Sequence, residues 1–450
     1  MITSKTFLFI LLLVPLALLA GMHVIVPLFA ELGAPPEGHG TMDSVALYVA
    51  ADPSQSLVFV TDKDESYVEM HNPVTRQYVG RIGGAGDEAG KLLYPNGVGV
   101  AYGVQTGSGK KDLLFVVERD NHRVSVFSLP DKNFIAHFGA SALEQPYGIA
   151  CYWKGNELQA WITETEPSPD RVYVYRILPE GAGVKGVLAL QFETAGYLES
   201  IVIDPVAQRA LICDEGDGHD VMVYDLQGNL ITRFGNGLFV DEPEGLALYD
   251  LGNGAGYIIV SDQNAEPTEY EVFDRKTYQA LGHFSGPTTT TDGLTLTQAA
   301  LPNLPSGSFY AMHSDDVVHI YDWAEIATAM NLQTRVISPR TAVAEMRAET
   351  PRDFEVLSNY PNPFSVSGAF GNPSTTIRYQ VDRLVPVQLE IFTLTGERVR
   401  RLVNAEQAPG QYRVAWNAQS DHGQRVATGV YWMKLRVGEV VHLRKALLVK

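Results

Sequence analysis

The sequence predicts an all-β chain, a six-bladed β-propeller followed by a small immunoglobulin-like β-sandwich. Two observations carry the ring. A unit of four short strands recurs six times, and each unit starts on a polar residue or tyrosine, usually with a small residue next. A third observation, a run of turn-separated strands after residue 355, carries the sandwich.

The unit starts are Asp43-Ser44-Val45, Asn96-Gly97-Val98, Tyr147-Gly148-Ile149, Glu199-Ser200-Ile201, Glu244-Gly245-Leu246 and Asp292-Gly293-Leu294. They are spaced by roughly 45–53 residues, close to the ~40–50 of a propeller blade. A second apolar strand follows each start, as at Ser56–Thr61, Leu113–Val117, Ala160–Thr163 and Tyr257–Ser261. Third and fourth strands follow, as at Val124–Ser128 with Phe134–Phe138, and Val221–Asp225 with Leu230–Phe234. Val, Ile, Tyr and Phe dominate these runs, as packed sheets require. A pair of two-sheet sandwiches is the alternative, but a sandwich need not repeat at this period. The propeller is expected over 40–332, with no helix in that span.

The flanks read differently. Lys5 precedes an apolar run from Phe7 to Ala20 that ends on small residues, the pattern of a secretory signal peptide, expected over 1–30. The competing reading is an uncleaved anchor over about 7–30, long enough to cross a bilayer of ~20 residues. Residues 333–354, with Pro339 and Pro351, read as a linker. Strand patterns resume at Val387–Phe392, Val414–Trp416 and Gly429–Leu435, separated by turns at Thr395-Gly396 and Asp421-His422-Gly423, and place the sandwich at 355–450.

Bulk composition limits the function. The 450 residues are 45% hydrophobic and 19% charged, which is globular. A net charge of −18 repels nucleic acid and argues against a DNA or RNA partner. Cys151 and Cys213 both lie in apolar runs, the setting of buried free thiols; a disulfide between them is the alternative.

Propeller geometry turns two sequence columns into one site. The first strand of a blade lines the channel and the second returns, so the residue before strand one and those after strand two share a face. The first column is Asp43, Asn96, Tyr147, Glu199, Glu244 and Asp292. The second includes Asp62-Lys63-Asp64, Glu118-Arg119-Asp120, Glu164-Thr165-Glu166, Asp214-Glu215, Asp262-Gln263 and Ser314-Asp315-Asp316. One mouth is thus ringed by carboxylates with Lys63 and Arg119 among them. Such carboxylates repel one another unless a cation lies between them, and hard oxygen donors suit Ca²⁺. Lys63 and Arg119 could grip phosphate, Arg as a bidentate fork. Against this stands the plain role of turn Asp and Asn in satisfying turn backbone.

Glu242-Pro243-Glu244-Gly245-Leu246, Gly256–Gln263, Thr291-Asp292-Gly293-Leu294 and the closing Trp323-Ala324-Glu325-Ile326-Ala327 resemble the β-propeller phytase family, and the likeness covers roughly 43–330. The resemblance implies a six-bladed ring and Ca²⁺-dependent hydrolysis of phosphomonoesters, with phytate or a related phosphorylated small molecule as substrate. It implies metal ligands at Asp43, Glu166, Glu199, Glu244 and Asp292. Substrate contacts would come from Lys63, Arg119 and Tyr147, and catalytic roles from Glu199, Glu244, Lys63 and Arg119. Asp64 and Thr165 stand where the family carries further lysines, which removes positive charge from a site that holds a polyanion. A non-catalytic propeller binding a ligand or a protein, with structural calcium, is the runner-up. A lactonase- or esterase-like hydrolase with a central Ca²⁺ is a third reading.

The tail carries Tyr360-Pro361-Asn362-Pro363-Phe364, Leu394-Thr395-Gly396-Glu397, Ala427-Thr428-Gly429-Val430-Tyr431 and a Lys445…Lys450 ending. These resemble the type A C-terminal sorting domain of type IX secretion. That resemblance implies the type IX machinery as partner, export through the periplasm of a Bacteroidota-like bacterium, and a secreted or outer-surface location.

Overall fold

The structure is a computed structural model that describes residues 22–337 except 34, 37, 167, 217 and 264, and residues 357–449 except 366–373, 382–384, 409 and 439. The chain divides into two compact units, Met1–Thr350 and Pro351–Lys450.

Among the described residues the first unit holds six sheets, each built on an antiparallel meander of three or four consecutive strands. Their first strands are Met42–Tyr48, Pro95–Thr106, Gln145–Lys154, Leu198–Asp204, Pro243–Gly252 and Leu294–Thr297. Each first strand neighbours the first strand of the next sheet, and the sixth neighbours the first, so the strands close a ring. Six apolar clusters repeat that order. One joins Phe59 and Met70 of the first sheet to Leu114 and Phe127 of the second, and the last joins Tyr310 and Ile320 of the sixth to Val45 and Val60 of the first. The sheets thus form a β-propeller arrangement.

This packing explains the near-continuous apolar second strands. Leu57–Asp62 is buried at every position because one face of its sheet meets the preceding sheet and the other face the following one. Alternate residues divide accordingly, Val58 and Val60 toward the sixth sheet and Phe59 toward the second.

Two expectations need correction. The span assigned to the leader, 1–30, overruns into the folded unit, and the propeller begins before residue 40. His23–Ile25 pairs parallel with Ala280–Ser285, and Ala30–Leu32 pairs antiparallel with Val317–Asp322. The sixth sheet has three strands of its own, so Ala30–Leu32 supplies its fourth and ties the two ends of the ring together. Val26, 1% exposed, is therefore a core residue rather than part of an apolar leader, and Leu32 just beyond that span is as deeply buried. The run Phe7–Ala20 lies outside the described residues.

The second correction is a short helix, Trp323–Ala329. The Asp322 side chain caps it by accepting from the Ala324 N–H at 2.9 Å, and Trp323 stacks on Tyr249 at 4.2 Å. The chain then crosses to Ile337, which bridges Ala299, so the folded unit runs past residue 332. Among the described residues no helix is long and apolar enough to cross a membrane. Cys151 and Cys213 are free thiols in different sheets, and burial pushes the Cys151 thiol up to about 12.

The second unit is a sandwich. One sheet orders Leu357–Tyr360, Thr375–Val381 and Gly410–Trp416. The other orders Phe364–Ser365, Val440–Val449, Gly429–Val437, Val385–Phe392 and Arg398–Gln407. Val387, Leu389 and Ile391 alternate inward to a core with Phe364, Ile377, Trp416 and Met433, as period-2 strands with one buried face do.

Candidate functional site

Each of the first five sheets delivers its side chains to one mouth by the same local device. The first strand carries a register shift at the same place, just after Met42, Pro95, Pro146, Leu198 and Pro243. Within that shift sit the column-one residue and its small follower. The follower is small because the neighbouring sheet's backbone presses on it. A Cβ on Gly148 would stand 2.8 Å from the Glu199 carbonyl oxygen, and one on Gly293 2.8 Å from that of Asp43. The channel is thereby drawn tight at the height of Asp43, Asn96, Tyr147, Glu199, Glu244 and Asp292.

The second column sorts into two roles. An acid at or near the end of the second strand in each of the first five sheets reaches back and caps the loop that enters strand one. Asp62 accepts from Gly40 N–H at 2.9 Å, Glu118 from Leu93 N–H at 3.1 Å and Glu164 from Gln145 N–H at 3.0 Å. Asp214 accepts from Tyr197 N–H at 2.9 Å and Asp262 from Asp241 N–H at 3.1 Å. His313 takes that place in the sixth sheet, accepting from Thr289 N–H at 3.1 Å. These groups are structural. The residue after each one is tied by its own N–H to the same loop: Lys63 to Thr41 O, Arg119 to Tyr94 O, Glu215 to Tyr197 O and Gln263 to Glu242 O. Those side chains enter the mouth.

Glu199, Glu215 and Glu244 meet there, each offering a carboxylate oxygen within 4.8 Å of the others. Glu199 and Glu244 are 3% and 7% exposed. Burial first, then Glu215 and Asp43, raises Glu199 well above the usual carboxylate range; burial, then Glu199 and Glu215, does the same to Glu244. Glu215 is raised by burial and lies in hydrogen-bonding contact with both. Two carboxylates in such contact need a shared proton or a cation. Beside them Asp292 is pushed up to about 8 by burial, then by Asp43 and Asp315, and accepts from Gln263.

Lys63 forms an ion pair with Asp43 and lies 3.4 Å from the Tyr147 hydroxyl. Burial alone would pull Lys63 down; Asp43 and Asp292 outweigh it and hold the ammonium above its ordinary value. Burial, then Asp43, Glu199, Glu244 and Asp292, keeps the Tyr147 phenol protonated. Asn96 is fully buried in the same column, and neither atom of its amide has a hydrogen-bond partner.

Among the predicted residues, Asp43, Lys63, Tyr147, Glu199, Glu244 and Asp292 come together. Arg119 flanks them, stacked at 3.4 Å on the Tyr94 ring and bonded to Asp120 at 2.7 Å. Glu166 does not join. It lies at the exposed end of its strand, two positions past the capping Glu164, and Gln145 donates to it at 3.1 Å. Glu215 was not among the predicted ligands. Its signal was positional: it follows Asp214 as Lys63 follows Asp62.

The fit to a divalent cation can be judged on the donors alone. Two oxygens bound to one Ca²⁺ at ~2.4 Å are at most ~4.8 Å apart, and Ca²⁺ takes ~6–8 such oxygens. The three glutamates meet that span with hard donors only, and the unpartnered Asn96 amide adds a further polar group at the same level.

The opposite end of the channel is a cavity of about 310 Å³ lined by Tyr102, Trp153, Asp250, Arg275, Gln298 and Arg335 among others. Its charges are matched. Arg275 bonds Asp204 at 2.7 and 2.8 Å and also pairs with Asp250, which pairs with Arg335 at 2.5 Å.

The FlgD Ig-like domain family matches residues 365–438. No curated protein matches the sequence. Solved structures similar to the chain include a gluconolactonase from Xanthomonas campestris, 16% identical over 65% of this chain and 88% of that one, with a TM-score of 0.44. Another is the Cps50 (Swd1) β-propeller domain of Myceliophteria thermophila, 10% identical over 66% and 98%, TM-score 0.41. PorZ, a surface component of the type-IX secretion system of Porphyromonas gingivalis, is 11% identical over 91% of this chain, which spans about half (51%) of PorZ, with a TM-score of 0.35.

Proposed function

We propose that the first unit is a six-bladed propeller whose mouth binds a divalent cation, Ca²⁺ by its donor chemistry, and hydrolyses phosphomonoesters of the phytate class or smaller. The observation that carries this reading is the convergence of Glu199, Glu215 and Glu244, three carboxylates within 4.8 Å with Lys63 the cation that lowers Glu199 and Glu215. Bound among them, a divalent cation would neutralise the cluster and act as a Lewis acid toward a phosphoryl oxygen. The chain's own groups have definable tasks. The Lys63 ammonium and the protonated Tyr147 hydroxyl, 3.4 Å apart, are two donors aimed at one oxyanion. Arg119, held flat by Tyr94, offers its fork at the rim to a second phosphate oxygen. With the cluster neutralised by the cation, an ionised Glu199 or Glu244 would accept the proton of the attacking water.

The test is hydrolysis of phytate and of a simple phosphomonoester by the purified chain, with Ca²⁺ and with chelator. Release of phosphate only with Ca²⁺ is expected. If Ca²⁺ raises the melting temperature and no phosphate is released, the mouth is a docking site with structural calcium. That second reading has an observation of its own: Lys63 is already engaged by Asp43, and Asp64 and Thr165 supply no further cation.

For the second unit we propose a role as a type IX sorting module on an exported protein. Its compact Ig-like core makes it a separable unit. Removing residues 355–450 should leave the propeller folded in the periplasm; arrival of the shortened chain at the surface would refute the assignment.

A further inference from the structure

We propose that His23, His283 and Glu269 form a transition-metal site, of the kind Zn²⁺ fills, that fastens the N-terminal strand to the edge of the fifth sheet. The site stands apart from the channel mouth and does not depend on the function proposed for it.

Strand pairing places the residues side by side. His23 pairs with His283, His283 with Glu271, and Glu269 with Ser285. Cross-strand partners share a face, and so do residues two apart on one strand, so His23, His283, Ser285, Glu269 and Glu271 all present on one face. The two imidazole centroids are 4.6 Å apart. One ligand atom from each of His23, His283 and Glu269 lies within 4.8 Å of the others. Two metal bonds of ~2.1 Å span at most ~4.2 Å, so a small rotation of the exposed His23 closes the set.

The surroundings are those of a ligand rather than of a surface histidine. His283 Nδ1 lies 3.1 Å from Glu271 Oε1, and Glu271 is 4% exposed. His283 Nε2 is thereby turned toward Glu269, 3.7 Å away. A buried carboxylate on the far nitrogen of a histidine fixes tautomer and ring direction, the arrangement typical of metal-ligating imidazoles. Ser285 Oγ, 2.8 Å from His23 Nε2, orients the second ring. Two nitrogens and one carboxylate suit Zn²⁺ over Ca²⁺, and three protein ligands leave a fourth position for water. The consequence is mechanical. His23–Ile25 contributes only three pairs to its sheet, and a metal spanning it and His283 would staple it down.

The full chain, stripped of metal and then saturated with Ca²⁺, is titrated with Zn²⁺ against a chromophoric chelator. One tight Zn²⁺ equivalent is expected. His283→Ala and His23→Gln should each lower affinity at least tenfold, and Glu271→Gln by about 10–100-fold. Co²⁺ should give visible d–d absorption in the wild type and lose it in His23→Gln, an exposed change that spares the core. Glu244→Gln should leave Zn²⁺ binding unaltered. No tight Zn²⁺ equivalent in the wild type, or unchanged affinity in His23→Gln, overturns the proposal: the histidines would then be ordinary ion-pair partners of Glu269 and Glu271.

Discussion

Both ends of the channel hold buried charges and treat them in opposite ways. At one end Asp204 and Asp250 are met by Arg275 and Arg335. At the other, Glu199, Glu215, Glu244, Asp292 and Asp315 are all raised, with Lys63 as the cation that lowers four of them. A fold that needs charge only for structure brings its counter-ions along, because an unpaired buried charge costs several kcal/mol. Among the described residues the mouth has one, Lys63, for six acids, and that shortfall marks it as built for a ligand.

Arg275→Met should leave Asp204 and Asp250 without their shared guanidinium and cost about 3–5 kcal/mol in denaturant unfolding. A loss under 1 kcal/mol would mean that this end is not held by its pairs. At the mouth, Arg119→Ala should leave the fold intact and slow phosphate release by ~10²-fold, about 3 kcal/mol, the scale of one lost oxyanion donor. Equal rates would remove Arg119 from the site. Ca²⁺ at a hundredfold excess over Kd should stabilise the chain by about 2.7 kcal/mol, and Glu244→Gln should abolish that shift. Without the cation the same substitution should act in reverse and stabilise, because it relieves repulsion. Opposite signs at the two ends are the signature sought; destabilisation by Glu244→Gln in chelator would contradict it.

The sheets of the ring were legible because their second strands are buried on both faces and read as apolar runs, and because the channel forces a small residue at Gly97, Gly148, Gly245 and Gly293. What was not legible lay where one signal served two purposes. Val24–Ala30 is apolar as the end of a leader would be, and sequence alone does not show that Val26 and Leu32 are buried under the fifth and sixth sheets. Acids after the second strands also look alike. Only backbone geometry separates Asp214, which caps a loop, from Glu215, which enters the mouth, or shows that Glu166 is one step too far along its strand.

The smallest effect expected is also the most specific to the mouth. In the cation-free protein burial, then Asp43 and Asp315, push Asp292 up to about 8, and Glu199, Glu215 and Glu244 are raised, whereas unfolded carboxyls sit near ~4. Between these limits the folded state binds more protons, so stability must fall as pH rises. The contribution is fully present below about pH 4 and is lost as pH passes through 8. A bound cation displaces those protons, so Ca²⁺ should flatten the decline and bind more tightly as pH rises across the same window. Asp292→Asn removes one of the titrating groups and should reduce the slope without Ca²⁺. Urea midpoints from pH 5 to 8.5, taken in chelator and in Ca²⁺, read all of this out. A chelator curve that rises with pH, or that Ca²⁺ leaves unchanged, would mean that the carboxylates of the mouth are not strained against one another and need no cation.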